Sequence, residues 1–237
     1  MIVGVKYEGG CLNRNKGCSE GCVEIGKKLK IEFPKINNFN CDKSLEQIED
    51  LKGKVFIGGD HSISYSLVKG FKRKHKTFGL IIFDAHADCC EPFKTATHED
   101  WLRKLIQEKI IKKENVLLIG VRDVDKTEVE FLKNMEIIKC EDLLNNLEII
   151  NFVNRFKNVY LSLDIDVVDA RDAPGTGCKV KKGIRKELFL KIIKELSRFK
   201  NIKRVDLVEV NPKLDIENKT VKLAVEIIKI FLKGDFK

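Results

Sequence analysis

The sequence predicts an α/β protein in which a mostly parallel sheet carries helices on both faces. Two features predict it. The strand candidates read as continuous apolar runs, which is what strands buried on both faces require. Amphipathic stretches long enough for helices separate those runs along the whole chain. No Pro/Ser-rich linker or internal repeat divides the 237 residues, so one domain spanning 1–237 is expected.

Taken in order, Ile2 to Val5 reads as a short buried strand, followed by a Gly- and Cys-rich loop and a helix over about 20–30. Lys54 to Ile57 is the next strand, and Ser62 can cap a helix running to about Lys74. Phe78 to Phe83 is a strand again, and a helix follows over about 100–109. Then come a strand at 116–120, a helix near 127–134, a strand at 136–138 and one or two short helices reaching Phe156. A strand at 159–163, a helix at 186–199, a strand at 205–208 and a closing helix at 218–232 complete the βα alternation.

Composition excludes several classes. No apolar run approaches the roughly 20 residues of a bilayer span, and the N-terminus lacks the pattern of an export signal. A cytoplasmic protein is therefore expected. The formal charge of +9 is spread over lysines interleaved with glutamates, which describes a solvated basic surface; neither a nucleic-acid partner nor a membrane partner is expected. Eight cysteines in a chain of this size read as reduced thiols. Cys11, Cys18, Cys22 and Cys41 form no C-x-x-C pair, so no structural zinc site is expected.

In open parallel sheets ligands bind beyond the carboxyl ends of the strands. Reading only those positions gives Gly58-Gly59-Asp60-His61-Ser62, then Asp84-Ala85-His86-Ala87-Asp88, then Asp164-Ile165-Asp166, then Glu209. Desolvating unpaired carboxylates costs several kcal/mol each, so groups delivered by apolar strands must reach solvent or hold a cation. His61, Asp84, His86, Asp88, Asp164 and Asp166 exceed what one small cation takes from protein. Two ions sharing carboxylates fit better. Oxygen donors with one imidazole per ion suit Mn²⁺, with Fe²⁺, Co²⁺ or Zn²⁺ as alternatives. A water between such ions would serve as nucleophile near neutral pH.

GGDHS, DAHAD, SLDIDVVD followed by APGTG, and EVNP resemble, in order and spacing, the signatures of the ureohydrolase family (arginase, agmatinase, formimidoylglutamase). The resemblance covers most of the chain from about Val55 onward. It implies a three-layer α/β/α fold around an eight-stranded, mostly parallel sheet, two Mn²⁺ per chain, and a homo-oligomer, a trimer or hexamer. It places one ion on His61 and Asp88 and the other on His86 and Asp166, with Asp84 and Asp164 bridging. Glu209 matches the glutamate that grips the substrate's guanidinium, a cation that stays charged at any working pH. His98 falls where the family has a proton-shuttling histidine; a surface histidine at a helix start is the alternative. The implied reaction is hydrolysis of a C–N bond at an amidinium carbon, with catalytic roles for His98, Asp166 and Glu209, acting on a small cationic guanidino substrate and releasing urea.

Departures from the family pattern bear on the substrate. Cys90 stands where arginases carry an asparagine that contacts the amino acid's carboxylate. Asp125, in Gly120-Val121-Arg122-Asp123-Val124-Asp125, resembles the arginase aspartate that reads the α-amino group, or else caps the helix that follows. An amine without a carboxylate describes agmatine, so an agmatinase-like activity is favoured over arginase. His98 is followed by Glu99-Asp100-Trp101 where the family has a small residue and a proline-containing turn. Cys11, Cys18, Cys89, Cys90 and Cys178 lie in loops expected near the same sheet edge, where some thiols would line the pocket. His75 is expected to be a solvated helix-end residue. The chain is short for the family between about Leu29 and Lys54. Alternatives are a homologue acting on another amidine or amide, formimidoylglutamase-like or deacetylase-like, or one that retains the metal centre without turnover.

Overall fold

Apolar runs buried on both faces assemble into one parallel sheet. The computed structural model describes residues 1–37, 40–143 and 146–234. Among these, the strands are β1 (Ile2–Gly4), β2 (Val55–Ile57), β3 (Gly79–Phe83), β4 (Val116–Ile119), β5 (Glu136–Ile138), β6 (Val159–Asp164) and β7 (Ile202–Val208). They pair in the order β1-β2-β7-β6-β3-β4-β5, every neighbour parallel.

The helices are α1 (Gly21–Gly26), α2 (Cys41–Glu49), α3 (Ser62–Lys74), α4 (Trp101–Gln107), α5 (Val129–Leu132), α6 (Leu147–Asn154), α7 (Lys186–Leu196) and α8 (Lys219–Lys233). Residues of α1, α6, α7 and α8 enter one hydrophobic core, and residues of α2, α3, α4 and α5 the other. Strand β3 shows why its sequence lacks alternation: Ile81 and Phe83 enter the first core, Leu80 and Ile82 the second. Each face of the pleat therefore needs its own apolar side chains.

Seven strands stand where eight are expected. Beside β1 the chain makes a single parallel bridge between Val3 and Glu32, with Gly4 N–H donating to Glu32 O at 2.8 Å and Glu32 N–H to Ile2 O at 3.0 Å. Pro34 follows two residues later and has no N–H with which to extend a ladder. The stretch between Leu29 and Lys54 also holds α2, a helix the sequence reading omits. Its Asn40 cap, accepting from Lys43 N–H at 3.0 Å, was available as a signal.

Several helix ends move inward. The helix expected over 20–30 is a 3-10 turn at Cys18–Glu20 followed by α1, and the one expected near 127–134 shortens to α5. Ser62 does not cap α3; Asp60 Oδ1 accepts the Ser62 amide at 2.9 Å while Oδ2 accepts that of Gly10. His75 is half-buried at the end of α3, its ring 4.3 Å from that of Phe71.

What matters for function is adjacency. Strands β2, β7, β6 and β3 lie side by side, and the residues leaving their carboxyl ends are those of the four motifs. The approach is close. A Cβ placed on Gly59 would lie 1.8 Å from Tyr7 O, so only glycine lets this loop lie against the N-terminal segment.

Candidate metal centre

His61, Asp84, Asp88, Asp164 and Asp166 are all buried, and His86 is the most open of the six at 26 % side-chain exposure. Around His61 Nδ1 lie Asp84 Oδ2 at 2.9 Å, Asp88 Oδ2 at 2.9 Å and Asp164 Oδ2 at 3.3 Å. Around His86 Nδ1 lie Asp166 Oδ2 at 3.0 Å and Asp84 Oδ1 at 3.4 Å. Two groups of donors result, His61-Asp84-Asp164 and Asp84-His86-Asp166, with Asp84 common to both.

The donors are aimed before any ion arrives. Backbone amides hold the carboxylates in place: His86 N–H donates to Asp84 Oδ1 at 2.7 Å, Asp166 N–H to Asp164 Oδ1 at 2.8 Å, and Ala85 N–H to Asp166 Oδ1 at 3.0 Å. Asp88 is held at φ 51°, in the left-handed region that non-glycine residues adopt at a cost on the order of 1–3 kcal/mol.

A hydroxyl network sets the His61 tautomer. Asp206, fully buried in β7, accepts from Tyr160 at 2.6 Å, Ser162 at 2.6 Å and Ser64 at 2.9 Å. Ser162 has one proton and gives it to Asp206, so its oxygen accepts from His61 Nε2–H at 2.9 Å. The Nδ1 lone pair is thereby left facing three carboxylates.

These residues fit a divalent cation. Buried His61 Nδ1 and Asp84 Oδ2 make no aligned hydrogen bond although they lie within contact of each other. Neighbouring donors around one ion with bonds of about 2.1 Å stand about 3 Å apart, the spacing seen here. Without an ion, protons take its place. Burial opposes charge on His61, but the carboxylates of Asp164, Asp84 and Asp88 crowded around Nδ1 outweigh it and hold the imidazole well above its ordinary range. Asp88 is pushed up to about 7, by burial and then by the Asp84 charge.

Glu209 and His98 face the same cavity of about 750 Å³. Glu209, at φ 64°, is gripped by two donors: His61 N–H to Oε1 at 2.7 Å, and Asn15 Nδ2 to Oε2 and to the Glu209 carbonyl. Asn211 Nδ2 donates to Asn15 Oδ1 at 2.7 Å and so fixes which way the Asn15 amide points. Burial, followed by the Asp60 charge, raises Glu209 to about 8. His98 is buried, not a surface helix-start residue; its Nδ1 is 3.7 Å from Glu209 Oε1 and its Nε2 has no partner. Burial, then Arg14, pulls it down to about 4, so the ring is neutral near pH 7.

At the mouth, Asp125 is exposed and its Oδ1 accepts both the amide and the hydroxyl of Thr127, which makes a turn without capping α5 directly. It still lines the cavity, as do Cys90 and Cys178. Cys11, Cys18 and Cys89 are buried elsewhere. Burial, and for Cys90 the nearby Glu128, lifts the two pocket thiols to about 12. The altered flank of His98 has a structural use: Trp101 Nε1 donates to Asp88 Oδ2 at 2.6 Å. Sequence reasoning missed Asn15, Trp101, Ser162 and Asp206. The pairing of Ser162 with strand β6's outgoing aspartates, at period two, was the one available signal.

Comparison with known proteins agrees with this geometry. A family model described as the arginase family matches residues 2–233. An arginase of Staphylococcus aureus (strain COL) is 34 % identical over 207 residues, 78 % of this chain and 68 % of that protein. An agmatinase of Bacillus subtilis (strain 168) is 34 % identical over 208 residues, 82 % and 71 % of the respective chains. Among solved structures, an arginase from Bacillus subtilis superposes with a TM-score of 0.87 at 26 % identity, covering 100 % of this chain and 99 % of that one.

Proposed function

The chain belongs to the arginase family, metal-dependent hydrolases of guanidino compounds, and on that premise we propose that it is a dimanganese ureohydrolase with agmatine favoured over arginine as substrate. The observation that carries this reading is the clustering of six metal-capable side chains, five of which line one cavity together with Glu209 and His98. His61, Asp84, Asp88 and Asp164 would hold one ion; Asp84, Asp164, His86 and Asp166 the other. The pair, when bound, supplies Lewis acidity and a water activated for attack at neutral pH.

The protein's own groups do the rest. Glu209 spends one acceptor position per oxygen on Asn15 and His61, which leaves both oxygens free to take a guanidinium by its fork of N–H donors. Fixing that plane aims the amidinium carbon at the metal-capable cluster. Asp166, fixed through Oδ1 by the Ala85 amide, can orient the attacking water. Water adds to the carbon, the bond to the substituted nitrogen breaks, and that nitrogen needs a proton to leave. Neutral His98, which lines the cavity, can take up a proton and hand it on. The products are urea and an amine.

Agmatine is favoured because the mouth offers a carboxylate, Asp125, for a distal ammonium, while Cys90 stays an uncharged thiol with nothing to offer a carboxylate. Exposed Lys126 and Lys179 on the same rim support a second reading, a guanidino acid such as arginine. No helix among the described residues is long and apolar enough to cross a membrane. The free cysteines suit a reducing compartment, in keeping with a cytoplasmic enzyme.

The deciding experiment loads the protein with Mn²⁺, counts metal per chain, and measures urea released from agmatine, arginine and shorter guanidino acids. About two ions per chain and fastest turnover of agmatine are expected. Urea from arginine alone overturns the substrate assignment. Metal without turnover of any member overturns the activity.

A further inference from the structure

Trp101 is the chain's single tryptophan and is fully buried. Its indole N–H reaches Asp88 Oδ2, the oxygen that also lies 2.9 Å from His61 Nδ1, and its ring sits 4.7 Å from the His61 ring at an angle of 43°. One side chain thus touches both residues that serve the first ion position and not the second. His86 and Asp166, at the other position, are oriented through Asp84 and the Ala85 amide.

We infer that Trp101 is a positioning residue that sets the affinity of the His61-Asp88 ion position, and that its emission reports the filling of that position. The inference rests on the metal-centre reading above. Asp88 needs outside support because its backbone sits at φ 51°, and the start of α4 supplies it twice: the Leu102 amide donates to Asp88 O at 3.2 Å while the Trp101 indole holds the carboxylate. An indole is a donor only. It fixes one lone pair of Asp88 without adding charge, so the carboxylate keeps its full negative charge for the ion. Hydrogen bonds to ligating carboxylates of this kind are worth roughly 10- to 100-fold in metal affinity.

A residue that merely filled the core would be replaced by phenylalanine without effect on metal. The test is therefore Trp101→Phe, which keeps an aromatic ring and removes the N–H. Metal-stripped wild type, Trp101→Phe and His86→Ala are titrated with Mn²⁺ by calorimetry, and the two proteins that retain Trp101 also by emission. In Trp101→Phe, one of two Mn²⁺ positions should weaken roughly 10- to 100-fold, the other staying as in wild type. The tryptophan emission of wild type should change with one binding step, and that step should survive in His86→Ala. Wild-type binding curves in Trp101→Phe, or an emission change lost in His86→Ala, overturn the inference alone. A wild type that binds no Mn²⁺ overturns the metal-centre reading itself, before any variant is compared. Should Trp101→Phe fail to fold, the emission titrations of wild type and His86→Ala decide.

Discussion

Stripping the metal should make the protein's stability fall as pH rises from 6.5 to 8. Without an ion the buried site is balanced by protons. Glu209 is raised from 4.5 to about 8 and Asp88 from 3.8 to about 7, in each case with burial as the main cause. Between those limits the folded chain holds protons that the unfolded chain has released, so stability declines with pH at up to about 1.4 kcal/mol per unit and group. Over this window Glu209 accounts for roughly 1.5 kcal/mol and Asp88 for about 0.8 kcal/mol. His61 and His86 are also held above their ordinary range, despite burial, by the surrounding carboxylates, and lose stability in the same direction. His98 has the opposite sign, being lowered by burial to about 4, but its effect is confined below about pH 6.5. Roughly 2 kcal/mol corresponds to about 4–8 °C in Tm for a chain of this size. The assay is thermal unfolding at fixed ionic strength in chelator and in Mn²⁺. Mn²⁺ displaces the protons of its ligands, Asp88 among them, so the loaded protein should show a smaller fall, with the part due to Glu209, which is not a ligand, remaining. A metal-free Tm that is flat or rises over this window, or an equal fall with Mn²⁺ present, would refute the electrostatic account.

Three further outcomes follow from the site. His86→Ala should remove one Mn²⁺ per chain and abolish urea release, checked by metal analysis and a urea assay; retained activity would refute the ligand assignment. Glu209→Gln keeps the shape but loses the charge that meets the guanidinium, and kcat/KM should drop by at least roughly 100-fold, consistent with about 3 kcal/mol for a buried charge-assisted contact. A modern thiol titration of the native protein should find Cys90 and Cys178 reactive ahead of Cys11, Cys18 and Cys89, and substrate analogues should protect the first two; equal protection of none would place the thiols outside the substrate's reach.

How much of this was legible in the sequence divides along a physical line. Residues on the sheet's carboxyl edge were legible because strand period is local: an apolar run that ends in Asp84-Ala85-His86 announces both the strand and what it delivers. The four motif strands β2, β7, β6 and β3 are neighbours, and that adjacency converts four separate sequence signals into one cluster. The layer behind was not legible, because nothing local marks it. Asn15 reaches Glu209 across 194 positions, and Asp206 is a buried aspartate in the middle of β7 whose three hydroxyl partners come from α3 and β6. Read along the chain, Asp206 interrupts an apolar strand without reason; only the fold shows that it aligns Ser162 and so fixes the His61 tautomer. The flank of His98 makes the same point in reverse. Glu99-Asp100-Trp101 looks like decay of a motif. In the folded chain Asp100 accepts the Thr97 and Phe93 amides, which shapes the loop that buries His98, and Trp101 lands on Asp88. A departure from a pattern at the sequence level is therefore no measure of lost chemistry until the partner of each changed side chain is known.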